Sequence, residues 1–182
     1  DGRLAIDPGV VVKLDGARIE AQIGAQLIAE GTVEHPVILT SFLDDRYGAG
    51  GTFVTAENVG GGGPKAGDWA GLYFGPVAKG NIDHAKISYA GGTTAIEGGF
   101  DKFNPVEIHQ AIVRITDTLF EDNAGGGGGD RNGRGTTTPA TIFVRGAQPI
   151  IADNTFRRGE GPVISIDVNA LNSEVVPDPG RT

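Results

Sequence analysis

The chain has 182 residues, 38% of them hydrophobic, with 31 glycines, no cysteine and no methionine, and a formal net charge of −8. That length fits one domain or one stretch of a repeat array, and the lack of cysteine excludes a disulfide framework, thiolate chemistry and Cys-ligated zinc. The acidic balance repels phosphate backbones and argues against nucleic acid, and no apolar run is long enough to insert into a bilayer.

Leu4-Ala5-Ile6 reads as a short strand ended by Asp7-Pro8-Gly9. Val10–Leu14 is a β-branched second strand, and Arg18–Ala21 an alternating third. Gly24 turns the chain into Ala25–Glu30. These strands recur too quickly for a β-sandwich, whose turn signals come every ~8–12 residues. No segment keeps a 3.6-residue apolar period, so helix is not expected. His35-Pro36-Val37-Ile38 opens the next strand. Residues 44–68 are glycine-rich and read as a long loop, after which Trp69–Phe74 resumes as a strand. Ile82–Tyr89 and Thr93–Glu97 follow, then a second loop at 98–105 and the strand Val106–His109. A third loop at 124–138 carries a run of glycines, and Ile142–Arg145 and Val163–Asp167 close the regular part.

One spacing organises the whole. An apolar residue, four residues, a second apolar residue, four residues and a glycine occur at Ile38/Leu43/Gly48, Ile82/Ile87/Gly92, Ile115/Phe120/Gly125 and Ile151/Phe156/Gly161. Repeats of this kind mean stacked coils, because a four-residue strand cannot bury its apolar side chains alone. The reading places Ile38, Ile82, Ile115 and Ile151 in one internal column and Leu43, Ile87, Phe120 and Phe156 in another. Asn154 stacks with Thr118, Ala85 and Ser41 in the bend between them. Each loop follows one copy of the pattern, so all three leave from one corner, the position at which repeat proteins often bind. The expected fold is all-β: a parallel β-helix, or β-solenoid, over residues 1–171 with three long loops at one corner, and a departing tail or linker at 172–182.

Pro8–Lys13, Glu30-Gly31-Thr32, His35–Ser41, Gly67–Phe74 and Ile82–Gly92 together resemble the right-handed parallel β-helix domains of bacterial secreted and cell-surface proteins, which are similar in fold to pectate lyases. The right hand rests on that resemblance and on the usual hand of parallel crossovers. The resemblance covers the chain from about Leu4 to Leu171. It implies an extracellular setting and sets no activity, since one fold hosts many functions. Together with the missing methionine it implies a processed or excised part of a larger protein.

Three sets of residues could carry chemistry. Enzymes of this fold line up carboxylates on one outward column. Here the position two after the first anchor reads Thr40, His84, Asp117 and Asp153, so His84, Asp117 and Asp153 are the catalytic set if there is one. No catalytic set is favoured, because the expected hydrolase motifs are absent. Asp44, Asp45 and Asp68 bracket the first loop and Asp122 and Asp130 the third, the oxygen-rich chemistry that suits calcium. Tyr47, Trp69 and Tyr73 could stack on a sugar at the loop corner, against the alternative that Trp69 packs under the loops. The resulting expectation is a non-catalytic structural or adhesive β-helix segment, secreted or on the cell surface, whose partners are flanking domains or like subunits end to end. The alternatives are a polysaccharide lyase or hydrolase acting on acidic glycans, and a carbohydrate-binding module.

Overall fold

The computed structural model describes residues 2–48, 62–96, 99–130 and 136–168. The first coil is β1 (Arg3–Ile6), β2 (Val11–Leu14) and β3 (Arg18–Ala21). The second is β4 (Gln26–Glu30), β5 (Val37–Ser41) and β6 (Gly71–Phe74). The third contains β7 (Lys79–Asp83) and β8 (Ala85–Ser88), then a hairpin of β9 (Thr93–Ile96) and β10 (Gly99–Lys102), then β11 (Val106–His109). The fourth contains β12 (Ile112–Thr116) and β13 (Leu119–Glu121), a short ladder of β14 (Gly129–Asp130) and β15 (Thr136–Thr137), and β16 (Ile142–Arg145). The fifth is β17 (Ile150–Ala152), β18 (Thr155–Arg157) and β19 (Ile164–Ile166). The described residues contain no α-helix.

Each coil contributes one strand to each of three parallel sheets. Sheet A has the order β1-β4-β7-β12-β17, sheet B β2-β5-β8-β13-β18, and sheet C β3-β6-β11-β16-β19. The three stacked sheets are compatible with a parallel β-helix. Register sets the core. Ile6, Ala29, Ile82, Ile115 and Ile151 align in sheet A. Val12, Leu39, Ile87, Phe120 and Phe156 align in sheet B. Ile19, Leu72, Val106, Ile142 and Ile164 align in sheet C. The middle coils bury these side chains completely, whereas Val12, Ile19, Ile151 and Phe156 in the end coils are half-covered.

The first copy of the repeat is displaced by one strand. Ile38 lies in sheet B, opposite Val11 and Lys86, so it does not join Ile82. Leu39 takes the place expected for Leu43, and Val37, not Ser41, is opposite Ala85. The cause is the connection from sheet A to sheet B. It is His84 alone in the third coil, but residues 31–36 in the second. Equal sequence spacing therefore lands on a different sheet.

The described residues of 42–70, 89–105 and 122–141 all lie between a strand of sheet B and a strand of sheet C. Part of the second expected loop is ordered as β10, paired antiparallel with β9. Within these connections, Phe103 is buried against Tyr73 on the outer face of sheet C, ring centroids 6.4 Å apart. Arg18 lies 5.0 Å above the Phe103 ring and donates to Ala95 O at 2.8 Å, which ties the hairpin to the first coil. The covered face holds Tyr73, Glu107, His109 and Phe143, all buried. Glu107 accepts hydrogen bonds from the Asn104 backbone at 2.8 Å and its side chain at 3.1 Å, and lies 3.2 Å from His109 Nε2. A buried carboxylate persists only with such partners.

Two polar ladders hold the corners. Asn154 Nδ2 donates to Ile115 O and its Oδ1 accepts from Thr118 N, joining the fifth coil to the fourth. Asn123 does the same one corner on, donating to Ile87 O at 2.9 Å and accepting from Ala90 N at 2.8 Å. Asparagine suits a bend because its amide supplies both the donor and the acceptor that the turning backbone has lost.

Candidate functional site

The corner between sheets A and B is where the sequence places side chains of functional type on top of one another. His84, Asp117 and Asp153 occupy it in the third, fourth and fifth coils. All three are left-handed, with φ of 46°, 48° and 57°. Aspartate and histidine are among the few side chains that tolerate this region. The backbone ladder runs on through the corner: His84 N donates to Thr116 O and Asp117 N to Ala152 O, both at 3.3 Å. Thr40, expected in the same column, lies in sheet B, buried, with its hydroxyl donating to Asp44 at 2.6 Å. Gly31 takes its place in the second coil; a side chain there would strike His84 O.

The long connection 31–36 overhangs this corner. Thr32, Val33, Glu34 and Pro36 form one wall of a groove of about 530 Å³, and His84, Asp117 and Asp153 line it below, with Lys86 and Arg157 alongside. Val33 is 76% exposed, so this wall is itself open to solvent.

One further carboxylate belongs to the corner. Asp83 ends β7, buried, and its Oδ1 accepts from Thr116 Oγ1 at 2.6 Å. Its Oδ2 lies 3.1 Å from His84 Nδ1. Ligand atoms of Asp83, His84 and Asp117 all lie within 4.8 Å of one another, the one such group among the described residues. Asp153 lines the groove but stands outside this group. Asp83 was missed because strand alternation after the inward Ile82 gives it an outward place; its burial depends on Thr116 from the next coil. The adjacency Asp83-His84 beside a column containing Asp117 was the available signal.

The expected loop carboxylates are arranged differently. Asp44 is fully buried and bonded to Arg46 and Thr40, Asp45 is exposed, and Asp68 accepts from Ser41 Oγ at 2.6 Å and Lys65 N at 2.9 Å. Asp122 is paired with Arg158 at 2.7 Å, while Asp130's side chain lies outside the described residues. Arg46 and Arg158 both also bond Glu121, so two arginines staple the first loop, the fourth coil and the fifth. Arginine is the residue for such shared carboxylates. Of the aromatic set, Trp69 is fully buried, Tyr73 is buried against Phe103 and His109, and Tyr47 is half-buried near Arg46 and Lys86.

The staple is pH-sensitive. Burial alone would raise the Asp44 carboxyl, but hydrogen bonds from Arg46 and Thr40 outweigh it and hold it below the ordinary 3.8. Asp122 is lowered first by its hydrogen bond from Arg158. Carboxyls depressed in the folded state contribute stability above their unfolded pKa and lose it as pH falls through the folded value. Melting temperature should therefore keep this contribution down to about pH 4 and lose it below. Arg46→Met should flatten that acid limb. An unchanged limb in Arg46→Met would show that the staple carries no linked stability.

No protein-family model, curated protein or solved structure matches the chain.

Proposed function

We propose that this chain is a structural or adhesive segment of a secreted or cell-surface bacterial protein, a right-handed β-helix of the pectate-lyase-like kind, whose work is done by its stacked coils. The observation that carries this reading is the state of the two end coils. Among the described residues, the middle strands of each sheet are paired on both sides, while β1, β2 and β3 at one end and β17, β18 and β19 at the other are paired on one side. Leu4 and Val10 at the first end, and Ile164 and Ile166 at the second, are exposed. Open parallel edges over half-covered apolar columns are a template for further coils, supplied by flanking domains of a larger chain or by a like subunit end to end. The acidic composition suits an extracellular setting.

Light scattering across a concentration series tests this. Association that grows with concentration, and that Leu4→Lys or Ile166→Lys abolishes without loss of folding, is the expected result. A strictly monomeric species at high concentration counts against it.

A glycan-binding or glycan-degrading role is the second reading, favoured by the groove above His84, Asp117 and Asp153. A panel of acidic and neutral polysaccharides, followed for unsaturated products and new reducing ends, separates the two. Turnover that disappears in Asp117→Ala or Asp153→Ala would overturn the scaffold reading.

A further inference from the structure

We propose that the corner between sheets A and B binds one divalent transition-metal ion of the zinc type through Asp83, His84 and Asp117.

The donor set comes first. One imidazole and two carboxylates suit zinc-like first-row ions, which take nitrogen and oxygen ligands together in a small shell. Calcium asks for ~6–8 oxygens and gains nothing from an imidazole. The corner offers the first kind of set, whereas of the loop carboxylates expected for calcium Asp44, Asp68 and Asp122 are bonded to Arg46, to Ser41 and Lys65, and to Arg158.

The second observation is at His84 itself. Its Nδ1 is buried and makes no hydrogen bond within the protein, although Asp83 Oδ2 is only 3.1 Å away. A buried ring nitrogen without such a bond is costly. A cation bound by both the nitrogen and that carboxylate oxygen would serve each of them. Asp83 is braced to ligate there, because Thr116 Oγ1 fixes its other oxygen at 2.6 Å, the outer support that orients a ligating carboxylate.

Reach is the third. Tetrahedral bonds of ~2.0–2.2 Å put ligand atoms ~3.3–3.6 Å apart. The atoms here lie within 4.8 Å, and the member that must close the gap, Asp117, is exposed. The fold supports the assembly, because His84 and Asp117 are equivalent corner residues of adjacent coils, joined by the bond from His84 N to Thr116 O.

The test is a titration of the full chain with Zn²⁺ alone, followed by calorimetry and by imidazole NMR. The chain has three histidines, His35, His84 and His109, so the ring signals report the site directly. The expected result is one ion per chain, with His84 the ring that shifts. Asp117→Asn should weaken binding at least ~10-fold. His84→Asn, which keeps a residue tolerant of the left-handed backbone, should do the same. Asp122→Asn, at another corner, should leave affinity within ~2-fold. Asp117→Asn changes an exposed side chain, so it carries the test even if His84→Asn destabilises the fold. Absence of saturable binding, a shift at His35 or His109 in place of His84, or equal affinity in Asp117→Asn would overturn the proposal. So would tight Ca²⁺ binding with indifference to Zn²⁺.

Discussion

Trp69→Ala is expected to cost about 3–5 kcal/mol of folding stability, a fall in melting temperature of roughly 6–20 °C for a domain of this size. Trp69 is fully buried and belongs to the main core. It is the residue at which the chain returns from the first long insertion to the solenoid. Its indole Nε1 donates to Ser88 O at 2.8 Å, at the end of β8 in the next coil. Its own carbonyl accepts from Gly92 N at 2.9 Å. Through its side chain and its backbone, Trp69 thus ties the second coil to the third. Truncation leaves a large cavity and removes the donor from a buried carbonyl. The two effects separate in Trp69→Phe, which keeps most of the apolar volume and should cost only about 1–3 kcal/mol for the unpaired Ser88 carbonyl and residual void. Thermal melts of both variants read the difference. A loss below about 1 kcal/mol in Trp69→Ala would show that the insertion, not the ring, closes the coil.

Much of the coil architecture was legible because a solenoid writes its strands locally. Val10–Leu14, Val106–His109 and Ile142–Arg145 are short stretches between turn residues, each built on β-branched residues, and they form β2 (Val11–Leu14), β11 and β16. The alignment of Ile82, Ile115 and Ile151 followed from the repeated spacing, since the A-to-B corner that follows each of them has one or two residues. The displacement of Ile38 was hidden because an overhanging connection of unequal length, 31–36, has no periodic signature. β10 was hidden for a related reason: Gly99–Lys102 is mostly polar and exposed, and only its partner β9 makes it a strand. The burial of Glu107 and His109 lies further from reach. Alternation after the inward Val106 and Ile108 gives them an outward face, and that face is buried beside Asn104 and Phe103 of the connection that precedes β11. At the corner, His84, Asp117 and Asp153 could be read from the repeat, whereas Asp83 required the cross-coil bond from Thr116.

Gly92→Ala is expected to cost about 3 kcal/mol or more, at or beyond the upper end for overpacking, and to lower the yield of folded protein. Its backbone is not left-handed, so the cost is steric. A β-carbon at Gly92 would lie 1.8 Å from Gly67 O and 2.6 Å from Gly67 C. Neither chain can retreat freely. Gly67 N donates to Tyr89 O at 3.0 Å, Gly92 N to Trp69 O at 2.9 Å, and Phe103 N to Gly92 O at 2.9 Å. A shift large enough to admit the methyl group breaks at least one of these bonds at the place where two insertions leave and rejoin the coils. Gly16→Ala is the control, because it makes the same chemical change for a different reason. Gly16 has φ of +56° and open space around it, so alanine there costs only the left-handed strain of about 1–2 kcal/mol. Denaturant melts of the two variants should therefore differ by at least about 1 kcal/mol, with Gly92→Ala the weaker protein. If Gly92→Ala proved no worse than Gly16→Ala, the turn carrying Gly67 would be free to slide off the solenoid. The insertion would then be an appendage to the coil stack and not part of its closure.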